Sequence, residues 1–207
     1  MTGKRAFVLV AVLAAGCGGA EEEAGSAAPP ADSATAVAAS MACAPQTERM
    51  PLADRTSPYD SVAVPLGDAR GVVCYGRPSM KGRTIFGDLI PFGQLWRTGA
   101  NEPTTIHLPV AATIAGIAVE PGSYSLYTVP GETEWQVVVN RSTSQWGIEG
   151  QYAGVESQEI GRASVPAERI ESPVETFTIG SAPAGANGAE LILEWENTRV
   201  RVPITRR

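Results

Sequence analysis

Apolar positions in this chain come in short alternating runs, and the runs have the period of strands rather than helices. Residues 61–64 and 69–75 are two β-branched runs separated by Leu66-Gly67-Asp68, which predicts two strands around a turn. Residues 103–108 place Ile106 and Leu108 on one face and Thr105 and His107 on the other, and strand character continues over 114–119. Residues 122–129 alternate strictly: Tyr124, Leu126 and Thr128 stand opposite Ser125, Tyr127 and Val129. The turn Pro130-Gly131-Glu132 then leads into 135–140, the clearest hairpin in the chain. Further strands are expected over 158–165, 174–179, 191–195 and 199–204, the last two joined through Glu196-Asn197-Thr198. No window has a useful amphipathic helical period. The expectation is an all-β fold: an antiparallel β-sandwich of about nine or ten strands, with one long ordered Gly-rich loop region and little helix.

That loop region runs from Cys74 to Thr105. Glycines at 76, 82, 87, 93 and 99, with Pro78 and Pro91 between them, exclude a long helix or strand. At most one helical turn fits over 85–95. Arg77, Lys81, Arg83 and Arg97 put four positive charges here, and Asp88 is the one acidic residue between Asp68 and Glu102. The chain as a whole has a formal charge of −6, so the cluster runs against its background.

The amino terminus has a different character. Residues 1–17 read as an export signal, with Lys4 and Arg5 ahead of an apolar run from Ala6 to Ala15 that is too short to span a bilayer. Ala14-Ala15-Gly16-Cys17 has the form of a lipoprotein cleavage site, with diacylation expected on Cys17. Residues 18–55 are rich in Ala, Glu, Ser, Pro and Gly with almost no large apolar side chain, and read as a disordered tether. Residues 56–207 then form a single domain large enough for its own core. Of the remaining cysteines, Cys74 reads as a free thiol packed in a strand and Cys43 as a residue of the tether, although an oxidising envelope would permit the pair to join.

Thirteen residues at 75–87, Tyr-Gly-Arg-Pro-Ser-Met-Lys-Gly-Arg-Thr-Ile-Phe-Gly, resemble a bacterial family known as domain of unknown function 2911. The likeness continues through Ile-Pro-Phe-Gly-Gln-Leu-Trp-Arg-Thr-Gly-Ala-Asn-Glu at 90–102 and Val-Glu-Pro-Gly-Ser-Tyr-Ser-Leu-Tyr-Thr-Val-Pro-Gly at 119–131. Trp135, Val137-Val138-Val139-Asn140, Gln145-Trp146-Gly147, Ser172-Pro173-Val174-Glu175 and Trp195 also fit, so it covers about 56–205. The resemblance implies an exported, often lipid-anchored bacterial protein. It brings no activity with it.

Chemistry must therefore be weighed from the residues. His107 is the sole histidine; it sits mid-strand without a nucleophile elbow and is expected to face solvent. One histidine and scattered cysteines give no transition-metal spacing, and no cofactor motif is present. Residues 76–84 fail as a phosphate loop: the glycine gap is wrong, Arg83 replaces the lysine, and Pro78 deletes a backbone donor. An acidic exported protein with one local basic cluster is a poor nucleic-acid partner.

The remaining constellation is Arg77, Lys81, Arg83, Trp96, Arg97, Asn101 and Glu102, where guanidinium forks and aromatic faces suit an anionic small molecule or a glycan. Three readings stand together. The first is recognition of an anionic or polyhydroxylated envelope ligand by a protein that meets the membrane through its lipid. The second is an envelope hydrolase using Glu102 or Asp88. The third is a structural or protein-binding module whose arginines brace carbonyl-rich loops and pair with those same carboxylates. A ligand-stabilised fold would favour the first, turnover lost on Glu102→Gln the second, and a flat surface without a cleft the third.

Overall fold

The computed structural model describes residues 42–147 and 149–207, with side chains of 149–151 left aside. The expected export signal, Cys17 and the tether as far as residue 41 lie outside the described residues. Among the described residues nine strands follow in chain order: β1 (Tyr59–Leu66), β2 (Ala69–Gly76), β3 (Thr104–Leu108), β4 (Ala112–Ile114), β5 (Ile117–Val119), β6 (Gly122–Val129), β7 (Glu134–Asn140), β8 (Glu159–Pro183) and β9 (Gly188–Arg206). Every pairing is antiparallel, in the order β1-β2-β3-β6-β7-β8-β9-β4-β5. The all-β antiparallel expectation therefore holds, but the strands form one continuous sheet.

Two expectations change in detail. The runs at 158–165 and 174–179 belong to one 25-residue strand, β8, and the two last runs belong to one 19-residue strand, β9. Residues 159–166 of β8 pair with β7, whereas residues 167–183 pair with β9 across register shifts between Arg169, Val174 and Thr178. Irregularities of this kind bend a strand without ending it. Glu196, expected in a turn, instead sits within β9 at φ +52°. The run at 114–119 goes the other way: it splits into β4 and β5 at Ala115-Gly116, both at positive φ.

The bends let distant strands share one core. Val73, Ile106, Leu126 and Val137 from the early strands pack in the same cluster as Phe177, Leu191, Trp195 and Ile204 from β8 and β9. Phe177, Leu191 and Ile204 are fully buried, each worth about 1.5–3 kcal/mol in removal from water. Phe86, Trp96, Trp135, Phe177 and Trp195 form a connected aromatic group within it, with ring centroids 4.9–6.1 Å apart. The alternation on β6 works as expected, sending Tyr124 and Leu126 to this core and Tyr127 to a smaller cluster with Val138 and Tyr152.

The segment 42–55 corrects the tether reading. Cys43 is joined to Cys74 by a disulfide, so the expected free thiol is not found. Gln46 donates from Nε2 to the Gln145 carbonyl (2.8 Å) and from its main-chain N–H to Glu102 (3.2 Å). The segment carries little apolar surface; a covalent bond and polar anchors hold it instead. His107 is a second correction. It is 7% exposed, with Nδ1 2.7 Å from Ser123 Oγ and Nε2 3.3 Å from Thr105 Oγ1. Its ring is enclosed by polar neighbours across the β3–β6 register, in which His107 stands opposite Ser123.

Candidate functional site: a cationic cleft beside a buried ion pair

The Gly-rich loop is folded onto β8 and β9 by its main chain. Phe177 N–H donates to the Pro78 carbonyl (2.8 Å), and Met80 N–H donates to the Glu175 carbonyl (2.8 Å). The Glu175 carboxylate accepts from Lys81 N–H (2.9 Å), and the Glu196 carboxylate accepts from Ile85 and Phe86 N–H (3.2 Å each). Buried or half-buried amides such as those of Ile85 and Phe86 must be paired somewhere, and Glu196 meets that need, while Glu175 ties the exposed turn at Lys81. The returning limb is fixed by a reciprocal pair between Trp96 and Thr128, with N···O distances of 2.7 and 2.9 Å.

Glycine is obligatory where the two limbs meet. A Cβ on Gly76 would lie 2.2 Å from the Ala100 carbonyl oxygen, so no other residue permits that approach. Gly87, at φ +90°, turns the tip of the loop beneath the Phe92 ring. Lys81, Thr98 and Asn101 also adopt positive φ. Thr98 is β-branched and buried, a combination that costs energy and needs firm support. It has that support, since its hydroxyl meets Thr128 Oγ1 (3.0 Å) and its carbonyl accepts from Thr104 Oγ1 (2.6 Å).

This framework encloses a cleft of about 610 Å³. Lys81, Arg83, Arg97 and Asn101 line it, with Trp96 and Trp195 among its apolar residues and Thr56 and Ser57 contributed by the chain leaving the docked segment. Among the described residues that line it there is no aspartate or glutamate. Arg83 is exposed, and its guanidinium donates to the carbonyls of Met80 (2.9 Å) and Ser79 (2.8 Å). Those bonds aim the side chain without neutralising it. Trp96 is 4% exposed and chiefly a core residue, its indole N–H donating to the Gly99 carbonyl. Asn101 Nδ2 is buried at this wall with no hydrogen-bond partner among the described residues.

Two residues of the expected constellation stand elsewhere. Arg77 spans β1 and β8: it pairs with Asp60 (3.1 Å) and donates to Thr178 Oγ1 (3.0 Å) and the Phe177 carbonyl (3.3 Å). Glu102, 4% exposed, accepts from Arg55 Nη1 at both carboxylate oxygens (3.0 Å each), and the Arg55 side chain is wholly buried. The Arg55 guanidinium also lies 5.6 Å from the Tyr59 ring centroid and 5.3 Å from that of Trp146. Burial, and then the Glu102 charge, push the Tyr59 phenol up to about 12, against the opposing pull of Arg55. Glu102 is thus a structural anchor absent from the cleft lining. Asp88 is exposed and likewise outside it.

Arg55 was missed because it falls in a stretch whose composition suggested a tether. Its one signal in the sequence is an arginine four residues ahead of the first strand, and Arg49 in the same stretch weakens even that.

A sequence model described as "protein of unknown function (DUF2911)" matches residues 57–204. The chain belongs to this family. The matched DUF2911 region begins at Ser57, so Cys43 and Arg55, which fasten the docked segment, lie ahead of it. No curated protein and no solved structure matches the chain.

Proposed function

We propose that this DUF2911 protein is a non-catalytic binding protein of the bacterial envelope that captures an anionic ligand in the loop cleft. The observation that carries this reading is the charge of the lining: Lys81 and Arg83 share one concavity with no carboxylate among its described lining residues, in a chain of net charge −6. Cations gathered in a concave, partly apolar site focus their field on the space between them. The volume suits a small molecule, and the arginine fork suits carboxylate, phosphate or sulfate. The hydrolase reading loses support because the Glu102 carboxylate is occupied by Arg55 and Asp88 stands outside the lining.

Envelope location rests on the apolar run ending at Cys17, with diacylation of that cysteine as the anchor and the domain facing the periplasm or the cell surface. A disulfide between Cys43 and Cys74 suits an oxidising compartment. Cys17→Ser is expected to release the protein from membranes; retention after a high-salt wash would contradict the anchor.

Binding is tested by titration calorimetry of sulfate, phosphate and glucuronate into wild type and the Lys81→Ala/Arg83→Ala double variant. Saturable binding by wild type, weakened at least about a hundredfold in the variant, is the expected result, the factor following from loss of two charge-assisted contacts of about 1.5–3 kcal/mol each. Absence of heat with every anion would overturn it.

A further inference from the structure

We infer that the anion taken by this cleft is the phosphorylated head of an amphiphile, whose apolar chain lies over Leu89; the inference rests on the anion-binding reading above. Leu89, Phe92 and Leu52 are the exposed large hydrophobic residues among the described residues, and Leu89 and Phe92 share one turn of the loop. Leu89 is 46% exposed and lines the same cleft as Lys81 and Arg83. The turn is not a loose one. Gly87 N–H donates to the Ile90 carbonyl (2.9 Å), and Ile90 N–H to the Ile85 carbonyl (2.8 Å). The Glu196 carboxylate grips its base at Ile85 and Phe86.

A rigid turn that holds a leucine half out of water keeps apolar surface exposed at a standing cost in solvation. Pro91 and Leu95 extend that surface along the cleft wall. Charge and grease are therefore side by side on one concavity. A free inorganic anion would use the cations and leave the apolar wall wet, whereas a headgroup carrying an acyl chain satisfies both. Phosphate fits the paired donors because its oxygens accept from a guanidinium fork and an ammonium together. Phe92 faces a separate cavity with Phe86, Gly131 and Glu132, and so serves as an internal control on the same turn.

The test uses the full chain carrying Cys17→Ser, so that no acyl group of its own competes. Inorganic phosphate, glycerol 3-phosphate, dihexanoyl phosphatidic acid below its micellar concentration and dihexanoyl phosphatidylcholine are titrated in turn. Each methylene that leaves water fully multiplies affinity by about fourfold, so partial cover of a few gives about tenfold. Dihexanoyl phosphatidic acid is expected to bind about tenfold more tightly than glycerol 3-phosphate and also to outbind the zwitterionic lipid. Leu89→Ser should abolish the tenfold advantage while leaving glycerol 3-phosphate unchanged, and Phe92→Ser should change neither. Leu89→Ala, checked by its melting curve, repeats the test should the serine variant be poorly folded.

Equal binding of the short-chain lipid and glycerol 3-phosphate would overturn the amphiphile inference and leave the anion site standing. Equal binding of the two lipids, or loss of the advantage in Phe92→Ser, would also overturn it. Absence of binding by all four would overturn both readings.

Discussion

Asn101 and Glu102 are neighbours in the chain, yet they belong to regions governed by opposite electrostatic rules. Glu102 is sealed against Arg55 with both carboxylate oxygens engaged, while Asn101 faces a cleft whose described lining holds three cations and no carboxylate. In the first region each charge has its opposite within hydrogen-bond distance, and removing one partner strands the other away from water. In the second, glutamates are nearby but spent on main-chain amides, as Glu175 and Glu196 are. The loop's main chain is therefore held without neutralising the Lys81 and Arg83 side chains. If Lys81 and Arg83 served as braces, carboxylate partners like the Asp60 of Arg77 would be expected beside them.

Arg55→Ala tests the sealed region hardest. It leaves Glu102 buried without its cation, and a cost of about 3–5 kcal/mol is expected, read as a fall in the denaturant midpoint. Cys43→Ser should follow at about 3 kcal/mol, since the bond closes a 31-residue separation; the same loss should appear on adding a reductant to wild type. Arg77→Ala, whose side chain is 31% exposed, is expected to cost about 1 kcal/mol, chiefly through its bonds to the Phe177 carbonyl and Thr178. Lys81→Ala with Arg83→Ala should fall within about 0.5 kcal/mol of wild type in the absence of anions. A large loss from that pair would erase the distinction between the two regions.

A separate effect is alkaline. Burial raises the Tyr59 and Tyr152 phenols to about 12, and the hydrogen bond from Tyr152 to Glu159 adds to the rise. A folded pKa above the unfolded value of about 10 means that the native state holds these protons longer. Stability is then complete below pH 10 and declines between pH 10 and 12. Absorbance titration of phenolate should show Tyr59 and Tyr152 ionising late, together with Tyr75, whose phenol burial also raises, and Tyr59→Phe with Tyr152→Phe should lessen the decline in stability.

How far the fold was legible depends on what holds each part. The β6–β7 hairpin was plain in the sequence because Tyr124 to Val129 alternate strictly and a Pro-Gly turn follows. The long strands were not, because Gly161, Pro166, Pro173 and Gly180 look like stops, while the structure absorbs the disruption in bulges that bend β8 between two partners. The docked segment 42–55 was hidden for a different reason. Hydrophobic patterning finds elements that are held by burial, and this one is held by Cys43, Gln46 and Arg55.

The candidate site was legible in part. The cations were visible along the loop, and Lys81, Arg83, Arg97, Asn101 and Trp96 do line one cleft. That Arg77 would turn away was not visible, since it depends on Asp60, placed beside it by the register in which Asp60 stands opposite Tyr75.

The division of the loop's cations into site and brace is tested most directly by thermal melting of wild type, Arg77→Ala and Lys81→Ala/Arg83→Ala, each with and without millimolar phosphate. Wild type should melt higher with phosphate. Arg77→Ala should melt lower than wild type yet keep the rise, and the double variant should match wild type without phosphate and show no rise. A wild type indifferent to phosphate, beside a double variant that melts far below it, would contradict the account.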